Sequence, residues 1–155
     1  MDRIAITYPQ YPDPDHWFGR AGDALVRAAR QINAGESAGA LAVLRAGWPA
    51  DRDAIGWRIW NELLHGVAFE QVGQPDSAAA RFARAAESRL HTLPALTKQR
   101  IYLPVALGRM RIAAEAAGDT LLAAGAARRL STLWQGADTA FPTHAGLSEF
   151  PPLPR

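Results

Sequence analysis

The sequence predicts an all-helical fold built from antiparallel helix pairs. Apolar residues recur at intervals of three and four along six segments, which is the spacing of one face of an α-helix. Glycine or proline separates these segments, and both residue types end helices. No stretch shows the sustained alternation of apolar and polar residues that is typical of a half-buried strand. We therefore predict six helices in three pairs, with a tight glycine-containing turn inside each pair.

The first pair follows a proline-rich start. Asp15 is a suitable N-cap, and apolar residues at helical spacing extend from His16 to Ala34. Gly35 ends this helix, as glycine often does at the C′ position. Ser37 then caps a second helix over roughly 38–46.

The second pair is the most regular. Asp51 or Asp53 can cap the third helix, whose apolar residues run from Ile55 to the turn at Gly73. Pro75 suits the first turn of the fourth helix, where its missing N–H costs nothing.

The third pair follows a stretch with two interpretations. Residues 91–103 form either a short helix or a connector. Pro104 opens or kinks the fifth helix, which ends at Gly118. The sixth helix runs from about Thr120 to Gln135.

The chain of 155 residues fits one domain with an extended segment at each end. We predict an N-terminal arm over 1–14, a helical domain over 15–136 and a Pro-rich tail over 137–155. The tail ends in Phe-Pro-Pro-Leu-Pro-Arg, which resembles a polyproline ligand. A partner protein or the chain's own surface is the expected binding site for it. The chain is either a whole protein or a domain of a longer one.

Composition excludes several classes of site. The sequence has no cysteine, so disulfides, thiolate metal sites and cysteine nucleophiles are excluded. No signal peptide is visible, and no apolar run approaches the ~18 residues that a membrane helix needs. We therefore expect a soluble, by default cytoplasmic protein without a membrane span. Nearly all basic residues are arginine, a bias typical of GC-rich bacterial genomes.

A spacing pattern in the centre of the chain is recognisable. It consists of small and aromatic residues at fixed intervals, namely Gly66, Phe69, Gly73, Ala78, Phe82 and Ala85. These six positions resemble the tetratricopeptide repeat, in which small residues let two helices approach closely and aromatics fill the holes opposite. Glu62 and His65 stand where the family has Trp and Leu, and Leu90 replaces its last proline.

The outer pairs match this pattern less closely. Aligning Gly35 and Gly118 with the central turn glycine places four residues at the small and aromatic positions: Ala40, Leu44, Ala123 and Ala127. The resemblance covers roughly 20–136. It implies helix pairs stacked in a short right-handed superhelix, with the first helix of each pair lining a concave face.

The resemblance also implies a binding surface, which we call the groove stripe. It comprises Leu25, Ala29, Ile32, Trp60, Leu63, Val67, Glu70 and Ile112, with Gly108 and Glu115 beside Ile112 on the fifth helix. Such a surface implies a scaffold or adaptor that binds an apolar peptide or protein segment, with Trp60 as its anchor. Alternatively, Trp60 is core or is covered by the N-terminal arm. In a second hypothesis the chain is a structural module, buried by self-association as a homo-oligomer or against another domain.

Basic residues are concentrated in one block. Residues 81–111 carry seven basic residues against the single acid Glu87. We call this set the basic patch: Arg81, Arg84, Arg89, Lys98, Arg100, Arg109 and Arg111. It suits an anionic partner, or it is simply the solvated outer face of two helices. We do not expect nucleic acid.

Two motifs suggest chemistry that the helical pattern does not support. Gly35-Glu36-Ser37-Ala38-Gly39 fits the G-x-S-x-G nucleophile elbow of a hydrolase, but that motif needs a strand before the serine. The preceding segment is helical, which favours a turn glycine followed by a capping serine.

Glu62 and His65 form a Glu-x-x-His pair as in di-iron bundles, which require a second such pair. The nearest second candidate, Glu87 and His91, has the wrong spacing. We therefore expect no catalytic residue, no metal and no cofactor.

Overall fold

The computed structural model describes residues 17–47, 58–88 and 102–135, and each of these ranges holds one helix pair. The elements are α1 (Trp17–Asn33), α2 (Ser37–Gly47), α3 (Arg58–Gln71), α4 (Pro75–Ala86), α5 (Tyr102–Ala117) and α6 (Thr120–Trp134). Within the three ranges no residue belongs to a strand. The prediction of an all-helical fold with six helices is confirmed for this part of the chain.

Three identical turns close the helix pairs. Gly35, Gly73 and Gly118, the turn glycines, have φ of 81°, 72° and 79°, a backbone conformation that side chains disfavour. In each turn the glycine N–H donates to the carbonyl three residues earlier. The next N–H donates to the carbonyl five residues earlier, and all six bonds measure 2.8 to 3.1 Å. These are Schellman caps, and they explain why glycine ends each first helix.

The residue that caps the N-terminus of α2 differs from the predicted one. α2 begins at Ser37, and the Ala40 N–H donates to the Glu36 carbonyl over 3.1 Å. Glu36 is therefore the N-cap, so the prediction that Ser37 caps this helix is wrong. In contrast, Asp119 caps α6, since its carboxylate accepts a 2.9 Å bond from the Leu122 N–H.

The proline assignments hold for both later pairs. Pro75 is the first residue of α4, and Pro104 lies in the first turn of α5, so it opens that helix and does not kink it. The predicted caps Asp51 and Asp53 lie outside the described residues. So do 91–101, the arm over 1–14 and the tail over 137–155.

The helices pack in chain order. Each contacts its neighbour in sequence, and in addition α1 contacts α3 and α3 contacts α5. Within a pair the short turn makes the helices antiparallel. The Ser37 hydroxyl at the start of α2 donates to the Gln71 side-chain oxygen at the end of α3. Trp60 contacts Tyr102 near the starts of α3 and α5. The first helices therefore run parallel to one another.

Parallel first helices give the molecule two unlike ends. All three turn glycines lie at one end, which we call the turn end. The opposite end, where one pair stops and the next begins, is the connector end. α6 runs back to the connector end, because the guanidinium of Arg129 donates to the carbonyl of Ala86, the last residue of α4, over 3.3 Å.

Small residues set the distances between helices. Gly66 on α3 faces the fully buried ring of Phe82 on α4, where a Cβ would lie within 2.7 Å of three ring carbons. Gly47 on α2 makes an equally close approach to the Ala24 methyl on α1. The close packing expected at Gly66 is therefore confirmed. Among the described helices, none is long and apolar enough to cross a bilayer.

Candidate functional site

Two equivalent positions of the groove stripe have the same exposure in all three helix pairs. Ten residues before each turn glycine stand Leu25, Leu63 and Gly108, and all three are buried. Six residues before each turn glycine stand Ala29, Val67 and Ile112, and all three are half-buried. Equivalent positions thus have equivalent surroundings. Because α1 contacts α3 and α3 contacts α5, the half-buried apolar side chains at these equivalent positions lie on neighbouring helices.

The turn end of the groove stripe differs between pairs. Ile32 is buried, Glu70 is half-buried, and Glu115 is exposed. The Glu70 carboxylate accepts a 2.9 Å hydrogen bond from Arg109 and so ties α3 to α5. Burial raises the pKa of Glu70, while the charge and the hydrogen bond of Arg109 oppose that rise. This carboxylate is therefore half-buried and paired with Arg109, so it does not present an unpaired charge to a ligand.

Trp60 lies at the connector end of the groove stripe and is half-buried. Its ring meets that of Tyr102 in an edge-on arrangement, with centroids 4.9 Å apart and planes at 62°. We call these two residues the aromatic pair. Trp60 is therefore neither wholly core nor wholly exposed, because its ring packs on α5 and still retains accessible surface.

The opposite side of α3 carries a buried polar cluster. The Arg81 guanidinium on α4 donates to the buried Glu62 carboxylate over 3.2 Å. His65 is 3% exposed, and its Nδ1 lies 2.9 Å from the Asn61 carbonyl oxygen. Because a carbonyl only accepts, Nδ1 carries the proton and donates. Burial lowers the pKa of His65 to about 4, although this hydrogen bond opposes the shift.

These contacts leave the Glu62–His65 pair without metal-site geometry. The Glu62 carboxylate is bound to Arg81, and the His65 ring is bound to the Asn61 carbonyl. Over the ranges that the structure describes, no three His, Asp or Glu side chains are grouped closely enough to hold a metal ion.

Ser37 is 3% exposed and follows helix α1, not a strand. Its hydroxyl donates to Gln71, which joins the first helix pair to the second at the turn end. A nucleophile elbow presents its serine on a strained turn between a strand and a helix. Ser37 has neither that backbone nor that exposure.

The basic patch is largely neutralised where the structure describes it. Arg81 and Arg109 are bound to the α3 carboxylates already described. Arg111 pairs with Glu115 over 2.7 Å on its own helix, and Arg84 is exposed. The remaining members, Arg89, Lys98 and Arg100, lie outside the described residues. Counting charges along the chain overlooked the acids on α3, which approach the patch only in the folded molecule.

Two residues of the site were missed in the sequence. Tyr102 fell within the segment whose structure was ambiguous, although it stands two residues before Pro104 and is the first residue of α5. Asn61 is buried, and its side-chain oxygen has no hydrogen-bond partner. Nothing in the local pattern marks either residue as a neighbour of the groove stripe or of the polar cluster.

No match to this chain was found among models of known protein families, curated proteins or solved structures. The resemblance to the tetratricopeptide repeat therefore rests on the residues of this chain alone.

Proposed function

We propose that this chain is a tetratricopeptide-like scaffold that binds a peptide or protein segment along the groove stripe. The observation that carries the proposal is the contact of α1 with α3 and of α3 with α5. These contacts set equivalent stripes of successive pairs side by side, as in a short superhelix of stacked repeats. Equal exposure in all three pairs at two positions, ten and six residues before the turn glycine, gives further support.

The lining favours an apolar segment. Its half-buried apolar side chains are those of Ala29, Trp60, Val67 and Ile112. The carboxylates on the same stripe, Glu70 and Glu115, pair with Arg109 and Arg111. Binding energy at protein interfaces is concentrated in a few anchor residues, among which Trp is enriched. Trp60 has this character, so an apolar or aromatic side chain of the partner is expected to pack against it.

Trp60→Ala tests the proposal. Peptides selected from a random library on the purified chain serve as the probe, and their affinity is measured for each variant. We expect affinity to fall at least tenfold. Removing a fully buried tryptophan ring costs about 3–5 kcal/mol of unfolding free energy. Because the Trp60 ring is only half-buried, we expect its removal to cost less, about 1–3 kcal/mol. Val26→Ala is the matched control, since Val26 is 45% exposed on α1 and does not belong to the groove stripe. Unchanged peptide affinity in Trp60→Ala would exclude the groove stripe as the binding surface.

A second candidate function is self-association, and α6 carries the observation that favours it. Leu121 and Leu133 are 84% and 45% exposed on the last described helix. Terminal helices of stacked repeats need a covering element because their outer face is otherwise apolar. Sedimentation over a range of concentrations distinguishes the candidates. A mass that rises with concentration and reverts to the monomer in a Leu121→Ser, Leu133→Ser variant would favour self-association.

A further inference from the structure

One position of the groove stripe has no side chain in the third helix pair. The residue ten places before the turn glycine is Leu25 in the first pair and Leu63 in the second, and they are 5% and 7% exposed. In the third pair this residue is Gly108, which is also buried. A Cβ at Gly108 would have no described atom within 4 Å. The space that a buried leucine fills in two pairs is therefore open, among the described residues, in the third.

Neither helix packing nor backbone geometry accounts for a glycine at this position. Gly66 and Gly47 permit a close approach, because a Cβ there would clash with the Phe82 ring and the Ala24 methyl. Gly108 has no such neighbour. Positive φ is confined to the turn glycines among the described residues, so the backbone at Gly108 accepts any side chain. Since alanine is favoured over glycine inside a helix, the fold alone would be more stable with alanine at this position.

Mostly apolar side chains border the open space. Residues three and four positions away on a helix are its nearest neighbours along the surface. For Gly108 all four of them are half-buried, namely Pro104, Val105, Arg111 and Ile112. Three are apolar, and the guanidinium of Arg111 is bound to Glu115 over 2.7 Å. We call this space and its four bordering residues the Gly108 recess. Gly108 is buried while its neighbours retain accessible surface, so the recess is a depression that a side chain from outside can enter.

We propose that the Gly108 recess receives one leucine-sized aliphatic side chain from the segment that binds along the groove stripe. This inference rests on the proposed function and adds the feature of the partner that determines specificity. Leucine is indicated because the first two pairs hold that side chain at the equivalent position. A polar group would lose its hydrogen bonds with water in an apolar recess. An aliphatic group would instead gain contacts with atoms that have no packing partner on one side.

A second helical glycine provides the matched control. Gly125 on α6 also has no described atom within 4 Å of the position of a Cβ. Its equivalents, seven residues after the other turn glycines, are the exposed Ala42 and Ala80. Gly125 thus replaces a small exposed residue and lies outside the groove stripe. Alanine at Gly108 or at Gly125 should raise the melting temperature by a similar amount, because neither methyl group meets an obstacle.

Peptide binding distinguishes the two glycines. The probe is the library peptide that binds the unsubstituted chain most tightly, and its affinity is measured by isothermal titration calorimetry. Gly108→Leu supplies the side chain that the first two pairs have, so affinity should fall by about tenfold or more, the factor expected when burial of one aliphatic side chain is lost. Gly108→Ala fills part of the space and should have a smaller effect of the same sign. Gly125→Ala should leave affinity unchanged.

Substitutions in the peptide identify the residue that enters the recess. Each residue of the probe is replaced in turn by alanine. Replacement of one aliphatic residue should lower affinity for the unsubstituted chain by about tenfold or more. The same replacement should have little effect on affinity for the Gly108→Leu variant, because the recess is already filled. A general distortion of the chain by Gly108→Leu would weaken all peptides alike and would give no such coupling.

The possible results separate this inference from the proposed function. Equal affinity of the probe for the unsubstituted chain and the Gly108→Leu variant would overturn the inference, as would coupling to a polar, charged or aromatic peptide residue. A lower melting temperature of Gly108→Ala would show that another part of the chain fills the space. A concentration-dependent mass that Gly108→Leu abolishes would assign the recess to a second copy. Binding that is lost in Trp60→Ala but unchanged in Gly108→Leu would retain the proposed function and reject this inference alone, whereas no binding of any library peptide would reject both.

Discussion

Replacing Gly66 by alanine tests the contact between α3 and α4 with a single methyl group. An alanine Cβ would lie within 2.7 Å of three ring carbons of Phe82, whereas nonbonded carbons pack at about 3.5–4.0 Å. The ring cannot retreat to solvent because Phe82 is fully buried. Overpacking of this kind costs about 1–3 kcal/mol.

A second glycine isolates that cost. Alanine is favoured over glycine within a helix by about 1 kcal/mol, and this gain applies to any glycine inside a helix. Gly125 on α6 has no atom within 4 Å of the position a Cβ would occupy, so Gly125→Ala should show the gain alone. The difference between the unfolding free energies of Gly66→Ala and Gly125→Ala is then the steric term, about 1–3 kcal/mol.

Urea unfolding followed by far-UV circular dichroism measures both variants. Combining Gly66→Ala with Phe82→Leu completes a double-mutant cycle. The smaller leucine side chain should relieve part of the clash with the new methyl group. We therefore expect a favourable coupling energy of at least about 0.5 kcal/mol, the lower end of the range for residues in contact. Equal stability of the two alanine variants, or a coupling near zero, would refute the packing argument.

Two further predictions concern the polar cluster on α3. The pKa of His65 is about 4 in the fold and near 6.5 in the unfolded chain, so between these values only the unfolded chain takes up the proton. Lowering the pH from 6.5 toward 4 should therefore reduce the free energy of unfolding by up to about 1.4 kcal/mol per pH unit. His65→Leu should flatten this dependence in urea titrations, and an unchanged slope would contradict it. Arg81→Ala leaves the buried Glu62 carboxylate without its partner and should cost about 1–3 kcal/mol. Arg84→Ala, an exposed neighbour on the same helix, should stay within about 0.5 kcal/mol of the unsubstituted chain, and equal losses would show that the ion pair contributes nothing.

The sequence predicted well those structural features that depend on a few neighbouring residues, such as the turn glycines. A turn glycine needs only its own positive φ and the carbonyls of the preceding turn, so its position is legible from a few residues. The contact of Gly66 with Phe82 could also be predicted from the sequence, because both residues belong to one helix pair and the turn between them fixes their spacing.

Contacts between different helix pairs could not be predicted from the sequence in this way. Ser37 was assigned a local capping role because its partner, Gln71, lies in the next pair. In the sequence Arg109 had no nearby acidic residue to balance its charge, but in the fold α5 lies beside α3 and Arg109 pairs with Glu70. Such contacts depend on the connectors and on the stacking of pairs, which hydrophobic periodicity does not encode.

The asymmetry between the two ends determines where the chain tolerates a change of length. The turn glycines are 38 and 45 residues apart, although the three turns have the same hydrogen bonds. One residue inserted within a turn would rotate the following helix by about 100° and point its apolar face away from its partner. The segments between pairs already differ in length, since 10 residues (48–57) separate α2 from α3 and 15 (87–101) separate α4 from α5. Peptide tags, fused domains and loop grafts are therefore best placed between pairs, and homologous chains should vary in length at the same positions.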